Sequence, residues 1–156
     1  RLPNQKFTML TVANMEVSAA YEWATEQILA DPELATWKWM LTIEEDNILP
    51  PDALTKLITH ATVGNYDVLG GLYWVKGVGG CPQIWGDISG PVENYRSMPP
   101  DMGGGIVDCY GTGMGCTLFS IDLLKKLAAP RFLVEPEDGM FTQDLRFANR
   151  PHQWAK

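Results

Sequence analysis

The sequence predicts an α/β domain in which a mostly parallel central sheet is flanked by helices. Short apolar runs of strand length alternate with longer stretches of helical periodicity, the arrangement that right-handed crossovers between parallel strands require. One of those runs, residues 37–43 (WKWMLTI), stops abruptly at Glu44-Glu45-Asp46-Asn47, so a buried strand opens at its carboxyl end into an acidic turn. With 46% hydrophobic and 20% charged residues over 156 positions, the chain has the material for one ordinary core.

Residues 6–12 (KFTMLTV) read as a first short strand, and residues 15–30 (MEVSAAYEWATEQILA) as a helix that Asp31-Pro32 ends. After the strand at 37–43, Pro50-Pro51 opens a second helix, because proline is favoured in a first turn. Leu54, Leu57, Ile58 and Ala61 supply its buried face. The next strand is 66–75 (YDVLGGLYWV). From about 76 to 105 the pattern dissolves into Gly, Pro and aromatic residues, and a loop this long within one domain is functional or disordered. Order resumes at 106–110 and 114–119. The Ser120 hydroxyl then caps a helix over IDLLKKLAA, and a last helix begins at Thr142. No repeat or second domain interrupts residues 1–156.

A net charge of −7 argues against a phosphate-backbone binder, which needs clustered Lys and Arg. An acidic chain holds a phosphorylated ligand through a divalent cation instead. Cys81, Cys109 and Cys116 form no CxxC pair and are odd in number, so a reducing, cytoplasmic compartment is expected. No apolar run approaches the length of a membrane span.

Carboxylates crowded at the end of a buried strand repel one another unless a cation or hydrogen-bond donors compensate them, and ligands of open α/β sheets gather at such ends. Magnesium and manganese prefer oxygen ligands and share them with phosphates. The competing reading is a solvated turn leading into the Pro50 helix. Trp74, Trp85 and Tyr73 flank the long loop, where aromatic faces suit sugar rings as readily as core packing. Gly111, Gly113 and Gly115 in YGTGMGC point to a close approach of backbone, or to a bulge, rather than to a phosphate cradle. Trp23, Trp37 and Trp39 read as core; His60 and His152 read as surface.

WKWMLTIEEDNILPPDALTKLI resembles the signature of family 2 type glycosyltransferases, in which a hydrophobic strand ends in a DxD-like motif followed by a proline-led helix. MEVSAAYEWA, DVLGGLYW, VDCYGTGMGCTLFSIDLLKKL and FTQDLRFANR resemble further blocks of that family in the same order, over roughly residues 12–150. The resemblance implies a Rossmann-like GT-A nucleotide-sugar transferase core, cut at both ends. It lacks a βα unit before Met15 and a His-bearing strand after Lys156, so the segment alone is expected to bind donor poorly or to be inactive.

The resemblance also implies roles. Glu44, Glu45 and Asp46 form the cofactor-binding turn for Mn2+ or Mg2+, with Asp46 as metal ligand and Glu44 reaching the ribose, the metal or a metal-bound water. Gly71, Trp74, Trp85 and Gly113 line the sugar pocket. The catalytic base falls on Asp144, preceded by Gln143 where many members carry Glu; the competing reading of Asp144 is a helix first-turn carboxylate. Glu137-Asp138 reads as a solvated loop. The implied reaction moves a sugar from a nucleotide-diphosphate donor to a carbohydrate or other hydroxyl acceptor with inversion. Two alternatives are a non-catalytic remnant that binds carbohydrate or nucleotide sugar, and a sugar-phosphate nucleotidyltransferase. The latter needs a Gly-rich, basic phosphate loop near its start, which this chain does not show.

Overall fold

The computed structural model describes residues 6–74, 80, 82–86, 105–109 and 111–132. Among the described residues, three α-helices and five strands form in the order α1 (Val17–Ala30), β1 (Trp39–Ile43), α2 (Ala53–Gly64), β2 (Val68–Gly70), β3 (Ile84–Trp85), β4 (Gly111–Thr112), β5 (Cys116–Ser120) and α3 (Ile121–Lys126).

Helix α1 is free of Gly and Pro. Its first turn is closed by the Glu16 carboxylate, which accepts from Ala19 N at 3.0 Å. Ser18, Glu22 and Thr25 recur at helical spacing and are its buried face. Asp31 ends it by accepting from the N–H groups of Glu33 (2.8 Å) and Leu34 (2.9 Å), which folds the chain into a 3-10 turn over Leu34–Thr36. Helix α2 ends at Asn65, whose φ of 54° lies in the left-handed region that asparagine tolerates. Helix α3 starts where Ser120 Oγ accepts from Leu123 N at 3.3 Å, the cap expected from the sequence.

The sheet differs from the expected one. Strand β5 is central, and both neighbours, β1 and β2, pair with it antiparallel; β3 and β4 form a separate antiparallel pair. The mostly parallel, Rossmann-like sheet is therefore incorrect for the described residues. The alternation of strand, helix and strand did carry one true implication: β1 and β2 run in the same direction on either side of α2. Alternation is a local signal, however, and it does not reveal that a strand from far along the chain fills the gap between them. Two smaller expectations also fail. Residues 6–13 form no strand, and Phe7 and Met9 are exposed. Trp23, read as core, is 40% exposed, and Leu54 on α2 is 45% exposed.

All five residues of β5 are buried, so its alternating side chains feed two cores. Phe119 packs with Met40, Met114, Phe132 and the α3 residues Ile121, Leu123 and Leu124, with Tyr21, Ile28 and Leu29 of α1 against them. Cys116 and Leu118 face the other way, onto Leu57 and Ala61 of α2, with Trp39 and Leu41 beside them. Among the described residues, no helix is long and apolar enough to cross a membrane.

Candidate functional site

The register of the central sheet determines what meets at its end. Ile43 is paired with Cys116, so the next residue of each strand brings Glu44 opposite Gly115, and Glu44 N donates to Gly115 O at 3.0 Å. On the other side the ladder continues past β2, with Gly71 N donating to Cys116 O at 2.8 Å. Two residues further on, the Tyr73 hydroxyl accepts from Gly115 N at 3.1 Å. The glycine-rich turn before β5 is thus flanked by the acidic turn from β1 and by a tyrosine from beyond β2.

Glycine is needed here for proximity. A Cβ on Gly115 would overlap Asn47 Nδ2 and lie 3.0 Å from both Glu44 Oε2 and Tyr73 Cζ. A Cβ on Gly113 would overlap the Tyr73 ring and lie 2.8 Å from Gln83 Cβ. The backbone therefore lies against the functional side chains with no room for a substituent.

A polar layer beneath the turn fixes it. Thr42 and Thr117 are both buried, and each hydroxyl is satisfied by main chain. Thr42 Oγ1 donates its one proton to Met114 O at 2.6 Å and accepts from Thr117 N at 3.2 Å. Thr117 Oγ1 donates to Gly113 O at 2.8 Å. Helix α1 contributes from the side: Tyr21 Oη is 3.0 Å from Glu44 Oε1 and 3.3 Å from Met114 O. Within the acidic turn Asn47 N donates to Glu44 O at 3.1 Å, while Glu45 and Asp46 are exposed and Asn47 Nδ2 makes a long 3.4 Å contact with Asp46 Oδ1.

The residues expected to bind sugar are spread along the same edge. Gly71 abuts Cys116, Gly113 donates its N–H to Gln83 O at 2.9 Å, and Trp74 is bridged to Pro82 and 46% exposed. Trp85 is paired with Gly111 at the other end of the β3–β4 ribbon. Asp144, Glu137-Asp138 and His152 lie outside the described residues, as does Cys81. Cys109 and Cys116 are free thiols, and burial raises the pKa of both.

Sequence reading did not single out Tyr21, and it took Asn47 only as part of the turn. Helical spacing places Tyr21 on the same face as Thr25, but its partner Glu44 is 23 residues away and no local pattern links them. Among the described residues, no group of three or more His, Cys, Asp or Glu side chains is placed to hold a metal ion. The oxygen-only donors of Glu44 and Asp46 nonetheless suit a hard cation, which takes one or two protein carboxylates and completes its shell with water and phosphate.

No family model matches the chain, and no curated protein matches it. Among solved structures it is similar to the crystal structure of A197 from STIV, with a TM-score of 0.61 at 21% identity over 92% of this chain. The chain spans 63% of the length of that protein. At this identity the likeness concerns the fold.

Proposed function

We propose that this chain carries the donor-binding part of a metal-dependent transferase that moves a sugar from a nucleotide-diphosphate donor to an acceptor hydroxyl, with inversion. The observation that carries the reading is the meeting of Glu44 with the glycine turn at 113–115, where the ends of β1, β2 and β5 converge. The resemblance to family 2 type glycosyltransferases supports it independently, through the DxD-like order of Glu44 and Asp46 and the proline-led helix α2.

In this reading Asp46 and Glu44 hold Mn2+ or Mg2+ beside the donor diphosphate. When bound, such a cation supplies positive charge against the departing diphosphate. The glycine turn lets Glu44, Asn47 and Tyr73 close against main chain, and the exposed Trp74 offers an aromatic face to a sugar. Asp144, assigned by the resemblance, accepts the acceptor's hydroxyl proton. As that oxygen bonds to the anomeric carbon, the bond to the diphosphate breaks and the nucleoside diphosphate leaves. A cytoplasmic location accords with the free thiols of Cys109 and Cys116.

The test is thermal unfolding of this chain with UDP-, GDP- and CDP-sugars, with and without Mn2+. One donor class is expected to raise Tm only when Mn2+ is also present, by a stabilisation of about 2.7 kcal/mol at a hundredfold excess over Kd. Asp46→Ala should abolish the rise. No rise with any donor, or a rise that Asp46→Ala leaves intact, overturns the proposal.

A further inference from the structure

Glu44 is held from outside its own turn. Tyr21 is on the inner face of α1, half-buried, with its ring tilted against Phe132 at a centroid distance of 5.8 Å. Its phenol has one proton and two acceptors in reach, Glu44 Oε1 at 3.0 Å and Met114 O at 3.3 Å. Met114 O is already the acceptor for Thr42 Oγ1 at 2.6 Å, and a carboxylate is the stronger acceptor at the shorter distance. The proton therefore goes to Glu44. That bond turns Oε1 towards α1 and leaves Oε2 unengaged by Tyr21, beside the glycine turn and 3.0 Å from where a Gly115 Cβ would stand.

We propose that Tyr21 is a positioning residue for the donor site: by engaging Oε1 it fixes the Glu44 carboxylate so that only Oε2 faces the metal–diphosphate group. The inference rests on the sugar-nucleotide reading above and adds a residue from a different element to it. A glutamate is one methylene longer than the aspartate usual at this position, and its extra torsion would otherwise let the carboxylate swing. The phenol removes that freedom before ligand arrives, so the ordering cost is met in folding rather than in binding. The role assigned to Tyr21 is exerted through Glu44.

The experiment uses uridine and guanosine diphosphates as probes. Loss of the free Mn2+ paramagnetic resonance signal beyond that caused by the nucleotide alone, measured in a matched protein-free titration, reports metal held with nucleotide on the 156-residue chain. The proteins are wild type, Tyr21→Phe, Glu44→Gln and the double variant, with Tm measured for each. Tyr21→Phe keeps the ring against Phe132 and is expected to weaken Mn2+–nucleotide binding about tenfold, the scale of one hydrogen bond to a charged group. In the Glu44→Gln background the same change should cost no further affinity. Losses that multiply in the double variant, or a lowered Tm with unchanged affinity, overturn the positioning role while leaving the donor site standing. Failure of the wild-type chain to immobilise Mn2+ with either nucleotide overturns the underlying reading and this inference with it.

Discussion

Against α1 and α3 the central sheet buries eight apolar side chains in one cluster, among the described residues, and against α2 it buries four. The first face also contains most of the buried polar groups of the described residues, among them Thr25, Thr42, Thr117, and the pair Glu22 and Arg131. Glu22 accepts from the backbone N–H groups of Arg131 and Phe132 and pairs with the Arg131 guanidinium at 3.1 Å; Arg131 Nε also donates to Leu124 O at 2.9 Å. Even the helix starts differ. Glu16 caps α1 with its side chain, whereas Asp52 makes no side-chain cap at α2 and pairs instead with Lys56 at 2.9 Å on the surface. The candidate site draws its supports, Tyr21 and Thr42, from the first face. The difference teaches that the thicker face is built for fixed geometry, because satisfied buried polar groups specify one arrangement where apolar packing alone tolerates several.

The largest expected effect comes from removing the clamp on the thicker face. Glu22→Ala leaves the guanidinium of Arg131 buried with Glu26 as its remaining carboxylate and strips two backbone N–H groups of their acceptor. It should cost about 3–5 kcal/mol in urea unfolding. Glu26 is half exposed and its removal should cost under ~1 kcal/mol. Equal losses from the two would show that the clamp is no different from a surface pair.

The two cores are compared more directly by truncation. Phe119→Ala, at a fully buried position, should cost about 3–5 kcal/mol, against about 2–3 kcal/mol for Leu57→Ala on the α2 face. If Leu57→Ala proves the more damaging, the ranking of the faces is reversed.

The smallest effect separates the helix caps. Hydrogen bonding from the Ser18 hydroxyl, followed by backbone N–H groups of Ser18, Ala19 and Val17, holds the Glu16 carboxyl below its ordinary pKa of 4.5. A carboxyl depressed in the folded state contributes stability above the unfolded value and loses it as pH falls through the folded one. Glu16 is largely exposed, so the contribution is under ~1 kcal/mol. Tm measured downward from pH 6 should therefore fall slightly more steeply in wild type than in Glu16→Gln once pH drops below about 4.5. Parallel curves would remove the cap from the account.

What the sequence made legible follows the reach of each signal. Ser120 capping α3 and the strand end at Ile43 depend on neighbours within a turn and are found where expected, whereas α2 begins at Ala53 after an Asp52 N-cap, so Pro50-Pro51 precede the helix rather than form its first turn. Residues 6–12 and 71–74 have strand-like composition but mostly no strand partner in the described structure, and composition alone does not create a ladder. The sheet order was hidden because β5 joins β1 across a separation of 75 residues. For the same reason the acidic turn was visible, while its setting was not: Tyr21 and Gly115 reach Glu44, and Tyr73 reaches Gly115, from separate stretches.

The central position of β5 has a consequence for the order of events on the ribosome. Thr42 and Thr117, which bond to each other across the sheet, are 75 residues apart. At ~5–20 residues per second, β1 is extruded roughly 4–15 s before the strand that must cover it. Once β2 has also emerged, β1 and β2 carry unpaired backbone edges with no strand between them, and the nascent chain depends on α1 and α2, which close locally, to keep those edges from pairing with a neighbouring polypeptide.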